Sequence, residues 1–106
     1  MPREQLKNLT EPMYYILLSL SVPRHGYEIM QVISDRTKGR VRVGAGTLYA
    51  LLGRFEEEKL IEQIEITDRK KIYRLTEAGR AALDEEYRRL KLLVDDGQEF
   101  LENAAD

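Results

Sequence analysis

The chain of 106 residues contains no cysteine, which excludes a disulfide framework and any thiolate metal site. Histidine is almost as scarce: His25 stands alone, too few for a zinc set or a His-based catalytic triad. No apolar run approaches the roughly eighteen residues that a membrane span requires. The opening residues "MPREQLKNLTE" lack the apolar core of a secretory signal. The expected location is therefore the cytoplasm, with no membrane partner. A chain this short allows one domain, or one small domain with an appended element, around a modest core.

Positive charge is not in excess either, since the formal net charge is −2. That value averages two unlike regions. Residues 1–80 carry fourteen Lys/Arg against eleven Asp/Glu, whereas residues 81–106 carry three against eight. A mildly basic body thus precedes an acidic tail, and only the placement of the cations can decide whether nucleic acid is a partner.

Hydrophobic patterning divides the chain into short elements. "TEPMYYILLSLSV" (10–22) is apolar on nearly all sides and reads as a buried helix, with Thr10 as its cap and Pro12 in its first turn. "PRHG" (23–26) breaks the chain, and "YEIMQVISDRTKG" (27–39) forms a second helix with Ile29 and Ile33 inward and Gly39 as its stop. "RVRV" (40–43) alternates as a short strand would. A third helix spans about 46–59, with Leu48, Leu51, Leu52 and Phe55 inward. "IEQIEITDRKKIYRL" (61–75) reads as two strands around "TDRK", with turn type and register open because Asn-Gly and Asp-Gly are both missing. Thr76 then caps a long final helix.

That last helix repeats Leu83, Tyr87, Leu90, Val94, Gly97, Leu101 and Ala104 at spacings of four and three, the seam of a coiled coil. A helix of this length would project about 40 Å, beyond so small a body. Its stripe is expected to pair with a second copy, helped by Tyr14 and Leu17 of the first helix. Gly97 either permits close backbone approach or marks a kink.

The third helix starts with "GAGTLYALLGR" (44–54), and glycine inside a helix costs roughly 0.5–1 kcal/mol relative to alanine. A helix entering the major groove presents its first turn and free amides to phosphates and base edges. Gly46, Thr47, Ala50, Gly53 and Arg54 give a small-residue outward side, flanked by Tyr49. The plainer alternative is a turn at Gly44–Gly46, a capping Thr47 and a packing Tyr49. Cations on both sides favour DNA: Arg36, Lys38, Arg40 and Arg42 precede the helix, and Arg69, Lys70 and Lys71 sit at the hairpin tip. Glu56, Glu57 and Glu58 are the discordant feature, expected at the far end and turned away from phosphate. No residue set supplies a metal site or an activated nucleophile, so neither an enzyme nor a cofactor is expected.

"HGYEI" (25–29), "GAGTLYALLGRFEEEKLIE" (44–62) and "KIYRLTEAGRAAL" (71–83) together resemble the signature segments of the PadR family of bacterial transcriptional regulators, over roughly residues 9–103. The resemblance implies a mainly α fold with a small β-hairpin: a winged helix-turn-helix (1–76) followed by a long C-terminal dimerisation helix (77–106). It also implies a homodimer on pseudo-palindromic double-stranded DNA, commonly as a repressor. DNA contacts would then fall on Thr47, Leu48, Tyr49, Lys70 and Lys71, and dimer contacts on Tyr14, Leu17, Leu83, Tyr87, Leu90, Val94 and Leu101. In "HGYEI", Gly26 would open the second helix, Tyr27 would pack, and His25 would serve as a loop or cap residue. Ala45 replaces a common proline and Lys59 a common glycine, the latter requiring a conformation that does not depend on glycine. A small-molecule effector, of a kind often held near the dimer interface in this family, would have Tyr14, Tyr15, Tyr87 and Phe100 available. The chain has no tryptophan to stack a planar ligand.

Overall fold

The computed structural model describes residues 8–105. Helix α1 spans Glu11–Ser19, and a strand of two residues, β1, follows at Arg24–His25. Helices α2 (Gly26–Arg36) and α3 (Ala45–Glu57) come next, then strands β2 (Ile61–Thr67) and β3 (Lys70–Leu75), and finally α4 (Glu77–Glu102). The helical signals read in the sequence do the local work. Thr10 Oγ1 accepts from the Met13 amide (3.4 Å), and Pro12 sits in the first turn of α1, where its missing N–H costs nothing. His25 is the cap of α2: its Nδ1 accepts from the Glu28 amide (3.4 Å), while Glu28 accepts from the His25 amide (3.1 Å). That reciprocal pair is a capping box.

The core gathers Met13, Ile16, Leu17 and Leu20 from α1 and its end, Ile29 and Ile33 from α2, and Leu48, Leu52 and Phe55 from α3. Leu60, Ile61, Tyr73 and Leu83 close it from the sheet side and from α4. Each fully buried Leu or Phe stabilises the fold by roughly 1.5–3 kcal/mol relative to exposure, so the three inward residues of α3 suffice to seat that helix. Tyr27 does not pack as expected: it is exposed. Its neighbour Gly26 is buried because the Tyr49 ring of α3 lies across it, where a Cβ would collide with the Tyr49 hydroxyl.

The three-stranded antiparallel sheet has the order β1-β3-β2. "RVRV" is not a strand. Val41 and Val43 are buried and Arg40 and Arg42 exposed, so the alternation is genuine, but β1 and β2 already occupy both edges of β3. The Thr37 hydroxyl instead fixes this segment, donating to Ile33 O (2.7 Å) and accepting from the Val41 amide (3.1 Å). The β2–β3 turn is Asp68–Arg69, both at positive φ (48° and 64°), the signature of a two-residue hairpin turn of primed type. A bulge between Gln63 and Glu65 leaves Ile64 without a partner in β3.

Two close approaches join α3, the sheet and α4. Lys59 ends the turn after α3 at φ +63°, so the left-handed conformation is kept although glycine is not. Its carbonyl accepts from Thr76 Oγ1 (2.7 Å), and Thr76 in turn caps α4 through the Gly79 amide (3.0 Å). Gly79 is buried against the Leu60 carbonyl, where any Cβ would clash with backbone. Beyond Glu86 no residue of α4 is buried, and the helix continues through Gly97 without interruption.

Candidate nucleic-acid interface

The first turn of α3 is capped by Gly44 with no side-chain hydrogen bond, so its amides face outward unshielded. A Cβ placed on Gly44, Gly46 or Gly53 would meet nothing within 4 Å. The fold itself therefore does not require glycine at these positions. They leave a low surface around exposed Thr47 and Ala50, with Tyr49 half exposed (51%) beside it. Arg54 is half-buried at the same face. Leu48 keeps the inward place that helical period gave it and corrects what the resemblance implied: it is completely buried, so it seats the helix and has no surface to offer to DNA.

The acids at the end of α3 also depart from expectation. Glu57 and Glu58 border the same surface depression as Tyr49, Ala50, Gly53 and Arg54. The reason is helical period, since Glu57 falls seven residues after Ala50 and four after Gly53. Glu56 alone turns aside, accepting from Gln63 Nε2 (2.8 Å) at the base of β2. A glutamate at a groove-facing position repels phosphate but accepts well from a cytosine amino group.

Cations flank this face. Arg40 and Arg42 are exposed and border a recess shared with Gly44 and Thr47. Arg40 donates to the Tyr15 hydroxyl (3.5 Å), which holds the guanidinium above its ordinary pKa, and Arg42 donates to Gly39 O (3.3 Å). On the hairpin, Arg69, Lys70 and Lys71 are exposed and have no ion-pair partner among the described residues. Ile66 was not singled out by sequence; it is 66% exposed and pairs in register with Lys71. Its signal was an isoleucine in a segment with too little core left to cover it. Burial, then the nearby Glu56 carboxylate, raises the pKa of Tyr73 beneath the hairpin.

The expected dimer residues divide in two. Leu17 and Leu83 are buried within the chain's own core and are unavailable to a partner. Tyr87, Val94 and Leu101 are exposed, as are Leu92, Leu93 and Phe100, and Leu90 is half-buried. Tyr14 is half-buried, in edge-on contact with Tyr15 (centroids 6.0 Å apart). Its pKa is raised by burial and then by Tyr87 and Glu86 of α4. Glu86 is buried and receives two hydrogen bonds from Arg89 (2.6 and 3.0 Å), which hold its carboxyl below the usual range. The four aromatics expected at an effector site do not gather within one chain: Phe100 stands thirteen residues beyond Tyr87, about 20 Å along the helix.

Among the described residues no group of His, Asp and Glu could hold a metal ion, and no helix is long and apolar enough to cross a membrane. Helices leading to a third helix with one exposed face, and a three-stranded sheet with its β-hairpin, define the class: a winged helix-turn-helix protein. Residues 16–85 match the family model described as the transcriptional regulator PadR-like family, and the chain belongs to that family. It is 38% identical over 92 residues to an uncharacterized protein of Lysinibacillus sphaericus, covering 80% of this chain and 84% of that one. Among solved structures it resembles a PadR-like transcription factor from Bacteroides fragilis, with 29% identity, TM-score 0.71, and coverage of 92% and 94%. It also resembles a PadR family regulator from Eggerthella lenta, with 26% identity, TM-score 0.73, and coverage of 94% and 88%. The family comprises transcriptional regulators, not enzymes, and its members generally bind DNA as dimers.

Proposed function

We propose that two copies of this chain pair through the distal half of α4 and bind pseudo-palindromic operator DNA, acting as a repressor in the cytoplasm. In this proposal residues 1–76 are the reading head and residues 77–106 the clasp, of which residues 1–7 and 106 lie outside the described residues. In this reading α3 enters the major groove by its first turns, with Gly46, Thr47, Tyr49, Ala50 and Arg54 toward the duplex. Arg40 and Arg42 neutralise phosphate on one side, and Arg69, Lys70 and Lys71 of the wing do so on the other. The carrying observation is that a side chain added at Gly44, Gly46 or Gly53 would meet nothing within 4 Å, so low, open helix surface lies between cations that form no ion pair among the described residues. Tyr14, Tyr87, Leu90, Val94 and Leu101 supply the contacts between copies.

The test is binding to genomic fragments at two salt concentrations. Saturable, selective binding is expected, and Lys70→Ala with Lys71→Ala should lower the salt slope by about two while weakening all sites alike. Repression is checked with a reporter driven by a selected fragment, whose output should fall when the protein is supplied. A second reading, a winged-helix dimer that binds protein instead of DNA, is favoured by Glu57 and Glu58 on the α3 face. Absence of selective binding to any fragment at low salt would decide for it.

A further inference from the structure

Two glycines are buried among the described residues, Gly26 and Gly79, and what presses on them differs in kind. At Gly79 it is the Leu60 backbone. At Gly26 it is the end of one side chain: an added Cβ would meet the Tyr49 hydroxyl and, at 2.8 and 3.0 Å, the Cζ and Cε1 of the same ring. The backbone of Gly26 cannot retreat. On one side β1 holds it, since Arg24 and His25 pair with Tyr73 and Ile72 of β3. On the other side the capping box of His25 and Glu28 holds it. The root of Tyr49 is fixed as well, because Leu48, Leu52 and Phe55 of α3 are sealed in the core. What can move is the Tyr49 ring, carried on two side-chain torsions.

That ring is 51% exposed and borders the surface depression it shares with Ala50, Gly53 and Arg54. Its hydroxyl makes no hydrogen bond among the described residues. Tyr73 lies near it, its pKa raised by burial, by Glu56 and then by Tyr49. Protein thus bounds the ring toward α2 and β3, and its free space is on the solvent side. We infer that Gly26 is a positioning residue for DNA binding, a role that rests on the DNA-binding reading of α3. The bare backbone of Gly26 lets the Tyr49 ring lie against the start of α2, which holds the hydroxyl ready for phosphate and keeps the α3 face low. A methyl group there would lift the ring outward. The hydroxyl would leave its place, and the ring would stand between α3 and a duplex that must approach closely. Alanine suits this position in every other respect: the φ of Gly26 is not positive, and alanine is the better helix former.

Gly26→Ala, Tyr49→Ala and the double variant are compared with wild type as full-length proteins. All should melt close to the wild type. On a fragment that the wild type selects from genomic DNA, Gly26→Ala should weaken binding by about tenfold or more, with the salt slope kept because no charge is removed. Tyr49→Ala should weaken it too. Adding Gly26→Ala to Tyr49→Ala should cost nothing further, because the ring that the methyl displaces is already gone. Additive losses in the double variant, or undiminished affinity in Gly26→Ala, would overturn the role. A readout without DNA is the nuclear Overhauser contact between the Gly26 α-protons and the Tyr49 ring, expected in the wild type; its absence would overturn the role as well. A wild type that shows this contact yet selects no fragment defeats the proposed function, and the role of Gly26 falls with it. A wild type that selects fragments no better than Gly26→Ala does defeats the role of Gly26 alone.

Discussion

Gly79 shows how a single missing side chain can set a junction. Its Cα hydrogens face the Leu60 carbonyl so closely that no Cβ fits, and the obstructing atoms are backbone with nowhere to move. Gly79→Ala should therefore destabilise the fold by about 2 kcal/mol or more, despite alanine's better helix propensity; urea denaturation of the two proteins checks it. Glu86 gives a prediction of a different kind. Its carboxyl is held below the usual range chiefly by the Arg89 hydrogen bonds. The charged form is thus preferred in the folded state, so its contribution is present above the unfolded carboxylate value and lost as pH falls through the lower folded value. Thermal melting between neutral pH and about pH 3 should show wild type losing stability in that window, and Glu86→Gln, which no longer titrates, losing less.

At the scale of elements, α3 and α4 follow opposite rules. Helix α3 buries one face completely and leaves the other smooth, whereas α4 is anchored by Gly79, Leu83 and Glu86 and then leaves its own domain. The exposed Val94 and Leu101 lie one heptad apart on its free half. Val94→Glu with Leu101→Glu should dissociate the dimer, read as a halved mass in sedimentation, while far-UV circular dichroism of the winged body is retained. A dimer unaffected by both changes would place the contact elsewhere. Both helices were legible because their periodicity is strong over many residues. The seam was less legible: Leu83 fits it by spacing and Leu17 of α1 was expected to help, yet both are buried by neighbours from the same chain.

At the scale of the whole molecule, the winged body and α4 join at Thr76, whose hydroxyl both donates to Lys59 O and caps α4; in the proposed function the body reads DNA and α4 clasps a second copy. That joint sets how the free half of α4 leaves the body, and so how far apart two α3 helices stand in a pair. Local chemistry was enough to read the four helices and the hairpin in order, the caps at Thr10 and Thr76, the inward face of α3 and the family resemblance, because period, capping and turn residues act over a few positions. Tertiary packing alone placed β1 beside β3 and left residues 40–43, which alternate as a strand would, outside the sheet. It also showed that Glu57 borders the same surface depression as Ala50, and that Leu17 and Leu83 are buried in the chain's own core. Most of these depend on which distant residues arrive first at the same surface, and no window of neighbouring sequence contains that competition.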